Sequence, residues 1–161
     1  YDQRLANTTE FPLAAPFANV TAAEDLITPR LAALHFYQLS LEAPPAPAGS
    51  FDPDAADRGG ALFAGKAACA TCHVLPLFTE PGHNLHRPEE IGIDDFQSSR
   101  GPTKQYRTTP LKGLHARETG GFYHDGRFAN LAAVVDHYDQ HFALGLSDAE
   151  QSDLEQYLRS L

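Results

Sequence analysis

The sequence predicts a mostly α-helical protein. Helix-start signals recur: Asp52-Pro53, Asn130 ahead of an apolar run, and Ser147 with Glu150 three residues on. The final stretch sets Leu154, Tyr157, Leu158 and Leu161 at i, i+3, i+4 and i+7, one face of a helix. No segment carries a strong strand pattern, and no internal repeat is visible. At 161 residues the chain is one domain, or one domain plus an extension.

Taken in order, residues 1–20 lack a clear period and contain Pro12 and Pro16. Residues 21–41 predict a helix in two pieces, interrupted near Pro29; the second places Leu31, Leu34, His35, Tyr37 and Leu41 at mixed helical spacing. The run from Ala43 to Ser50 is proline-rich and reads as an extended, semi-rigid linker. The expected organisation is therefore an N-terminal extension over 1–50 and a domain over 51–161. Asp52 then caps a helix whose first residue is Pro53 and which runs to about Ala64. Gly59 and Gly60 weaken that helix by about 1 kcal/mol each against alanine, and make sense where another helix crosses closely. Residues 74–128 are loop-rich, punctuated by Pro76, Pro81, Pro88, Pro102 and Pro110, and a stretch this long needs something to organise it. Asn130 caps a helix from Leu131 to about Phe142, and Ser147 with Glu150 forms a capping box for the last one.

The formal charge is −9 and the isoelectric point about 5.2. A phosphate backbone needs a basic face, so nucleic-acid binding is not expected; the acidic balance suits a basic or neutral partner. No apolar run approaches the ~20 residues of a membrane helix. The chain begins at Tyr1 without a signal peptide, the expectation for a processed chain or a piece of a longer one.

Both cysteines of the chain lie in one run, Cys69-Ala70-Thr71-Cys72-His73. This is the attachment signature of c-type haem. The two thiols add across the haem vinyl groups, and the adjacent imidazole of His73 ligates one face of the iron. One covalent haem c is the cofactor this predicts, and a periplasmic location follows because the attachment is made outside the bacterial cytoplasm. A zinc site would have to join Cys69 and Cys72 to His83 and His86, but ten residues separate Cys72 from His83 and two separate the histidines, both too few for a finger. A thioredoxin-type motif would need a βαβ context. The chain contains no methionine, so the usual sixth ligand of an electron-carrying cytochrome c is absent.

From about Asp57 to Leu161 the chain resembles the C-terminal haem domain of bacterial di-haem cytochrome c peroxidases. The pieces that carry this are Arg58-Gly59-Gly60-Ala61-Leu62-Phe63, the haem motif, Arg107-Thr108-Thr109-Pro110-Leu111-Lys112-Gly113, Phe122-Tyr123-His124-Asp125-Gly126, and then Leu131 and Val134-Val135. Residues 30–50 resemble the connector that precedes such domains. The resemblance implies a cytochrome c-like fold with long ordered loops, in which a first helix with Gly60 and Phe63 crosses a last helix with Tyr157. In the family the sixth ligand lies 14 residues after the histidine of the Phe-x-His-Asp-Gly segment, which here is Tyr138. It is usually methionine, and tyrosine in one member of the wider family. His137 and His141 are the alternatives: a neutral imidazole ligates without a pKa shift, whereas a tyrosine must ionise, as it does in catalase. Any of the three lowers the potential relative to His/Met ligation.

The resemblance also implies that His86 lies near a haem propionate or the distal face, and that His124 is a structural hydrogen-bonder. Arg107 and Arg127 can pair with propionates, since an arginine fork matches a carboxylate. His35 and His115 read as ordinary, Asp94-Asp95 as a weak cation signal, and Phe63 and Tyr157 as packing residues. The function these readings predict is single-electron transfer by a periplasmic mono-haem c-type cytochrome, with redox proteins as partners. The alternative is a peroxidase-like enzyme acting on hydrogen peroxide with a second haem from another domain or a homodimer partner. A gas sensor or ligand carrier would need an open distal site.

Overall fold

The computed structural model describes residues 28–80 and 84–161. The expectations for residues 1–20, for the first helical piece before Pro29 and for His83 lie outside them. The chain divides into two compact units, Tyr1–Glu42 and Ala43–Leu161. In the first, a 3-10 turn, Thr28–Arg30, leads into helix α1, Leu31–Ser40. In the second, the proline-rich segment forms neither helix nor strand and closes in a turn, where Ser50 donates from both its amide and its hydroxyl to the Pro47 carbonyl.

Three helices frame the second unit: α2 (Pro53–Ala64), α3 (Leu131–Phe142) and α4 (Asp148–Ser160). Their starts follow the local chemistry. An Asp52 carboxylate oxygen accepts from the amides of Asp54 and Ala55 at 2.9 and 3.2 Å, Asn130 accepts from the Ala133 amide at 2.9 Å, and Ser147 and Glu150 exchange both bonds of the capping box. The described residues contain two isolated antiparallel bridges, His86 with Tyr106 and Phe122 with Phe128, and no longer strand. The mostly α prediction holds.

Helices α2 and α4 cross in close contact. A methyl group at Gly59 would sit 2.0 Å from the Asp153 carbonyl oxygen, and one at Gly60 would meet the Tyr157 ring at 3.1 Å. The glycines that weaken α2 in isolation therefore admit α4. Phe63, 1 % exposed, packs on Tyr157 and Phe78 with ring centroids 5.2 and 6.0 Å apart. Leu131 and Val135 of α3 join Leu154 and Leu158 of α4 in the same core. Arg58 grips Asp153 with two parallel bonds of 2.8 and 2.7 Å beside the crossing, and Lys66 meets Glu150 at 2.7 Å.

The long segment between α2 and α3 is organised by hydrogen bonds spanning many residues. Glu80 is the hub: its carboxylate accepts from His86 Nε2 at 2.6 Å, Thr108 Oγ1 at 2.9 Å and Asn84 Nδ2 at 2.9 Å. Next to it Thr79 donates to the Thr108 carbonyl at 2.6 Å. Farther along, the Tyr106 hydroxyl donates to the Asp94 carbonyl at 3.0 Å. The Gly113 amide reaches the Leu161 carbonyl at 2.7 Å and ties the loop to the end of α4.

Candidate haem-binding site

Cys69–Thr71 forms a 3-10 turn entered through Ala68, whose φ of +52° is left-handed. Thr71 Oγ1 bonds back to the Ala68 carbonyl at 2.7 Å, and the His73 amide to the Cys69 carbonyl at 2.9 Å. The turn thus brings both cysteines and His73 within a single winding of backbone. Both cysteines are half-buried free thiols. Burial pushes the Cys69 thiol up to about 11, so it is held in its neutral form.

His73 Nδ1 lies 3.1 Å from the Phe78 carbonyl oxygen. With Nδ1–H donating there, Nε2 keeps its lone pair, the arrangement that orients a ligating histidine. Burial also lowers the His73 pKa and favours the neutral imidazole. Phe78 delivers that carbonyl from a left-handed backbone, φ +54°, while its ring sits in the core.

Helix α3 carries the three candidate distal donors, and the structure separates them. His137 Nε2 lies 3.2 Å from the Ile91 carbonyl and His141 Nε2 lies 3.1 Å from the Glu90 carbonyl. Their rings stack 8° from parallel against that loop. Tyr138 points elsewhere. Its side chain is half-buried, desolvation raises its pKa, and it is close enough to Tyr123, Cys72 and Cys69 for each to act on its ionisation.

Tyr123 packs its ring 6.2 Å from that of Tyr138, 4.8 Å from Phe128 and 5.7 Å from His137. Its backbone is left-handed, φ +69°, and its buried hydroxyl has no hydrogen-bond partner in good geometry. The loop around it is tight: the Phe122 amide bonds the Phe128 carbonyl at 2.7 Å, and Asp125 accepts the Arg127 amide at 3.1 Å. Gly126 has φ +70°, and a methyl group there would fall 2.4 Å from the Gly120 carbonyl oxygen. The His-Asp-Gly run is therefore a turn that sets Tyr123 against α3.

The remaining predicted residues divide by their partners. His86 is engaged by Glu80, and these two with Cys72 form a cluster whose donor atoms lie within 4.8 Å of one another. His124 stacks on Tyr106 at 5.8 Å and faces Asp94 at 3.4 Å, which leaves its Nδ1 buried without a partner. Arg127 binds Asp94 and Asp125, so its fork is already filled. Arg107 is exposed and forms no ion pair among the described residues. His115 also keeps a buried Nδ1 without a partner. Tyr123 and Glu80 are the residues that motif reading passes over. Tyr123 stands inside a quoted motif, but its role depends on a helix many residues away, and nothing local marks Glu80 as a hub.

The donor set fits a c-type haem: two free thiols, a histidine whose Nδ1 is held on a carbonyl, and a half-buried phenol next to a tyrosine with an unpartnered hydroxyl. The chain is 38% identical over 88 residues to the methylamine utilization protein MauG of Methylorubrum extorquens, an alignment covering 52% of this chain and 24% of the relative. It is 28% identical over 151 residues to the cytochrome-c peroxidase IdrP1 of Denitromonas iodatirespirans, covering 66% of this chain and 40% of the relative. The chain thus spans about a quarter and two fifths of the lengths of these curated relatives. No protein-family model and no solved structure matches it. With its helical frame and its haem-type donor set, the chain is related to the di-haem cytochrome c peroxidase family.

Proposed function

We propose that residues 51–161 form a mono-haem c-type cytochrome domain that transfers single electrons in the periplasm, with residues 1–50 as an N-terminal extension. Cys69 and Cys72 hold the haem through thioethers, His73 is the proximal ligand and Tyr138 the distal one. The haem, when bound, supplies a one-electron redox couple whose potential depends on its axial ligands and burial. His73 is oriented by the Phe78 carbonyl, and its ring lies 6.4 Å from that of Phe63 in the core. Arg107, exposed and without an ion-pair partner among the described residues, is available to a propionate or to the acidic rim of a redox partner.

The observation that carries the ligand assignment is the division of donors on α3. His137 and His141 each turn Nε2 to a carbonyl of the 90–91 loop, whereas Tyr138, half-buried, lies close enough to Cys69 and Cys72 for both to act on its ionisation. The test is optical and EPR spectroscopy of the ferric holoprotein, wild type and Tyr138→Phe. A phenolate-to-iron charge-transfer band that disappears in the variant is expected. A bis-histidine low-spin spectrum unchanged by the substitution overturns the assignment, and a pyridine haemochrome assay without haem overturns the whole reading.

The second reading, peroxidase-like chemistry on hydrogen peroxide, is favoured by one observation: the relatives are much longer than this chain and include a named cytochrome-c peroxidase. It needs a second haem from another domain or subunit, because the sequence holds one attachment motif. A fast spectral response of the holoprotein to peroxide or carbon monoxide would favour it over a carrier.

A further inference from the structure

The Tyr123 hydroxyl is buried and unpartnered although the ring of a second tyrosine, Tyr138, lies 6.2 Å from its own. A neutral phenol both donates and accepts, so a pair of them has no fixed direction. If Tyr138 loses its proton, its oxygen becomes an acceptor only, and charged acceptors make the stronger hydrogen bonds. The neighbouring contacts leave Tyr123 little freedom to do anything else. Phe128 and His137 pin its ring edge-on, and the left-handed backbone at Tyr123 is held by the Phe122–Phe128 bridge and the Gly126 turn. A non-glycine residue in that conformation persists only where its surroundings over-determine it.

We propose that Tyr123 is a positioning residue for the distal ligand: its hydroxyl donates a hydrogen bond to the phenolate oxygen of Tyr138, fixing the direction and the donor strength of that oxygen. The proposal rests on Tyr138 being the ligand, and it adds a residue to that reading.

The test is resonance Raman spectroscopy of the ferric holoprotein in H2O and D2O, comparing wild type, Tyr123→Phe and Tyr138→Phe. In the wild type the phenolate bands are expected to shift on exchange into D2O, as a hydrogen-bonded ligand oxygen requires. Tyr123→Phe should retain the bands, at moved positions, and lose the D2O shift. Tyr138→Phe should lose the bands altogether. Bands in Tyr123→Phe at wild-type positions with the wild-type D2O response overturn the proposal and leave the ligand assignment standing. Absence of phenolate bands in the wild type, or their survival in Tyr138→Phe, overturns both. Should Tyr123→Phe fail to hold haem, the wild-type spectrum decides alone: no D2O shift means no donor to the ligand.

Discussion

The α2–α4 crossing and the loop between α2 and α3 belong to one unit and are built on opposite terms. At the crossing, a glycine admits a neighbouring backbone, aromatic rings fill the space beneath, and the flanking charges are paired. The loop region holds the three buried polar atoms without partners found among the described residues: His115 Nδ1, Tyr123 Oη and His124 Nδ1. Left-handed non-glycine residues also gather in and around it, at Ala68, Phe78, Lys104 and Tyr123. The crossing is complete as protein alone. The loop carries strain and unmet hydrogen bonds, costs that are usually tied to function.

Three substitutions break or sharpen this contrast. The largest effect is expected from Gly59→Ala. Its methyl group would lie 2.0 Å from the Asp153 carbonyl oxygen, and overpacking of this kind costs about 3 kcal/mol. The urea midpoint of the holoprotein should fall accordingly; an unchanged midpoint would mean that the two helices can slide apart, and that the crossing is no rigid frame. Next is Glu80→Gln, which keeps the shape of the hub but removes the charge that His86, Thr108 and Asn84 donate to. A loss of about 1–3 kcal/mol is expected from hydrogen bonds to a charged group, read as faster protease cleavage within 74–128 while amide exchange in α2 and α4 stays slow. Equal loosening of both regions would erase the distinction between them.

The smallest effect concerns acid. Lys66 and the Ser147 amide hold the Glu150 carboxyl at about 2, below its ordinary 4.5. A carboxyl whose pKa is depressed by folding stabilises the fold above its unfolded value, and that contribution fades as the pH drops from 4.5 through about 2. In Lys66→Met the fade should begin from a smaller starting value, so circular dichroism of an acid titration should show a shallower decline between those limits. An identical decline would assign the acid sensitivity to other carboxylates.

What could be read from the sequence follows the same division. Asp52-Pro53, Asn130 and the Ser147/Glu150 box act on amides two to three residues away, so the helix starts were legible from local chemistry. Gly59 and Gly60 signalled a crossing helix, and the apolar spacing in the last helix pointed to its buried face. The loop was not legible, because its organising bonds join Glu80 to Thr108 and His137 to Ile91, residues 28 and 46 positions apart. The candidate donors on α3 show both sides. The helical period turns neighbours 137 and 138 apart, but which of them meets the 90–91 loop is decided by where the carbonyls of Glu90 and Ile91 lie.

The Phe78 carbonyl has a further consequence. It accepts from His73 and also from the Leu111 amide, at 3.1 and 3.3 Å, while the Phe78 ring packs on Phe63 and Tyr157. Two donors divide the basicity of one oxygen, so the electron density left on the imidazole depends on how firmly Leu111 holds its share. With His73 ligating a haem iron as proposed, the packing of the core and the seating of the 107–113 loop would act as a voltage divider on that ligand. A shift in either would then change the reduction potential without touching the iron or its ligands.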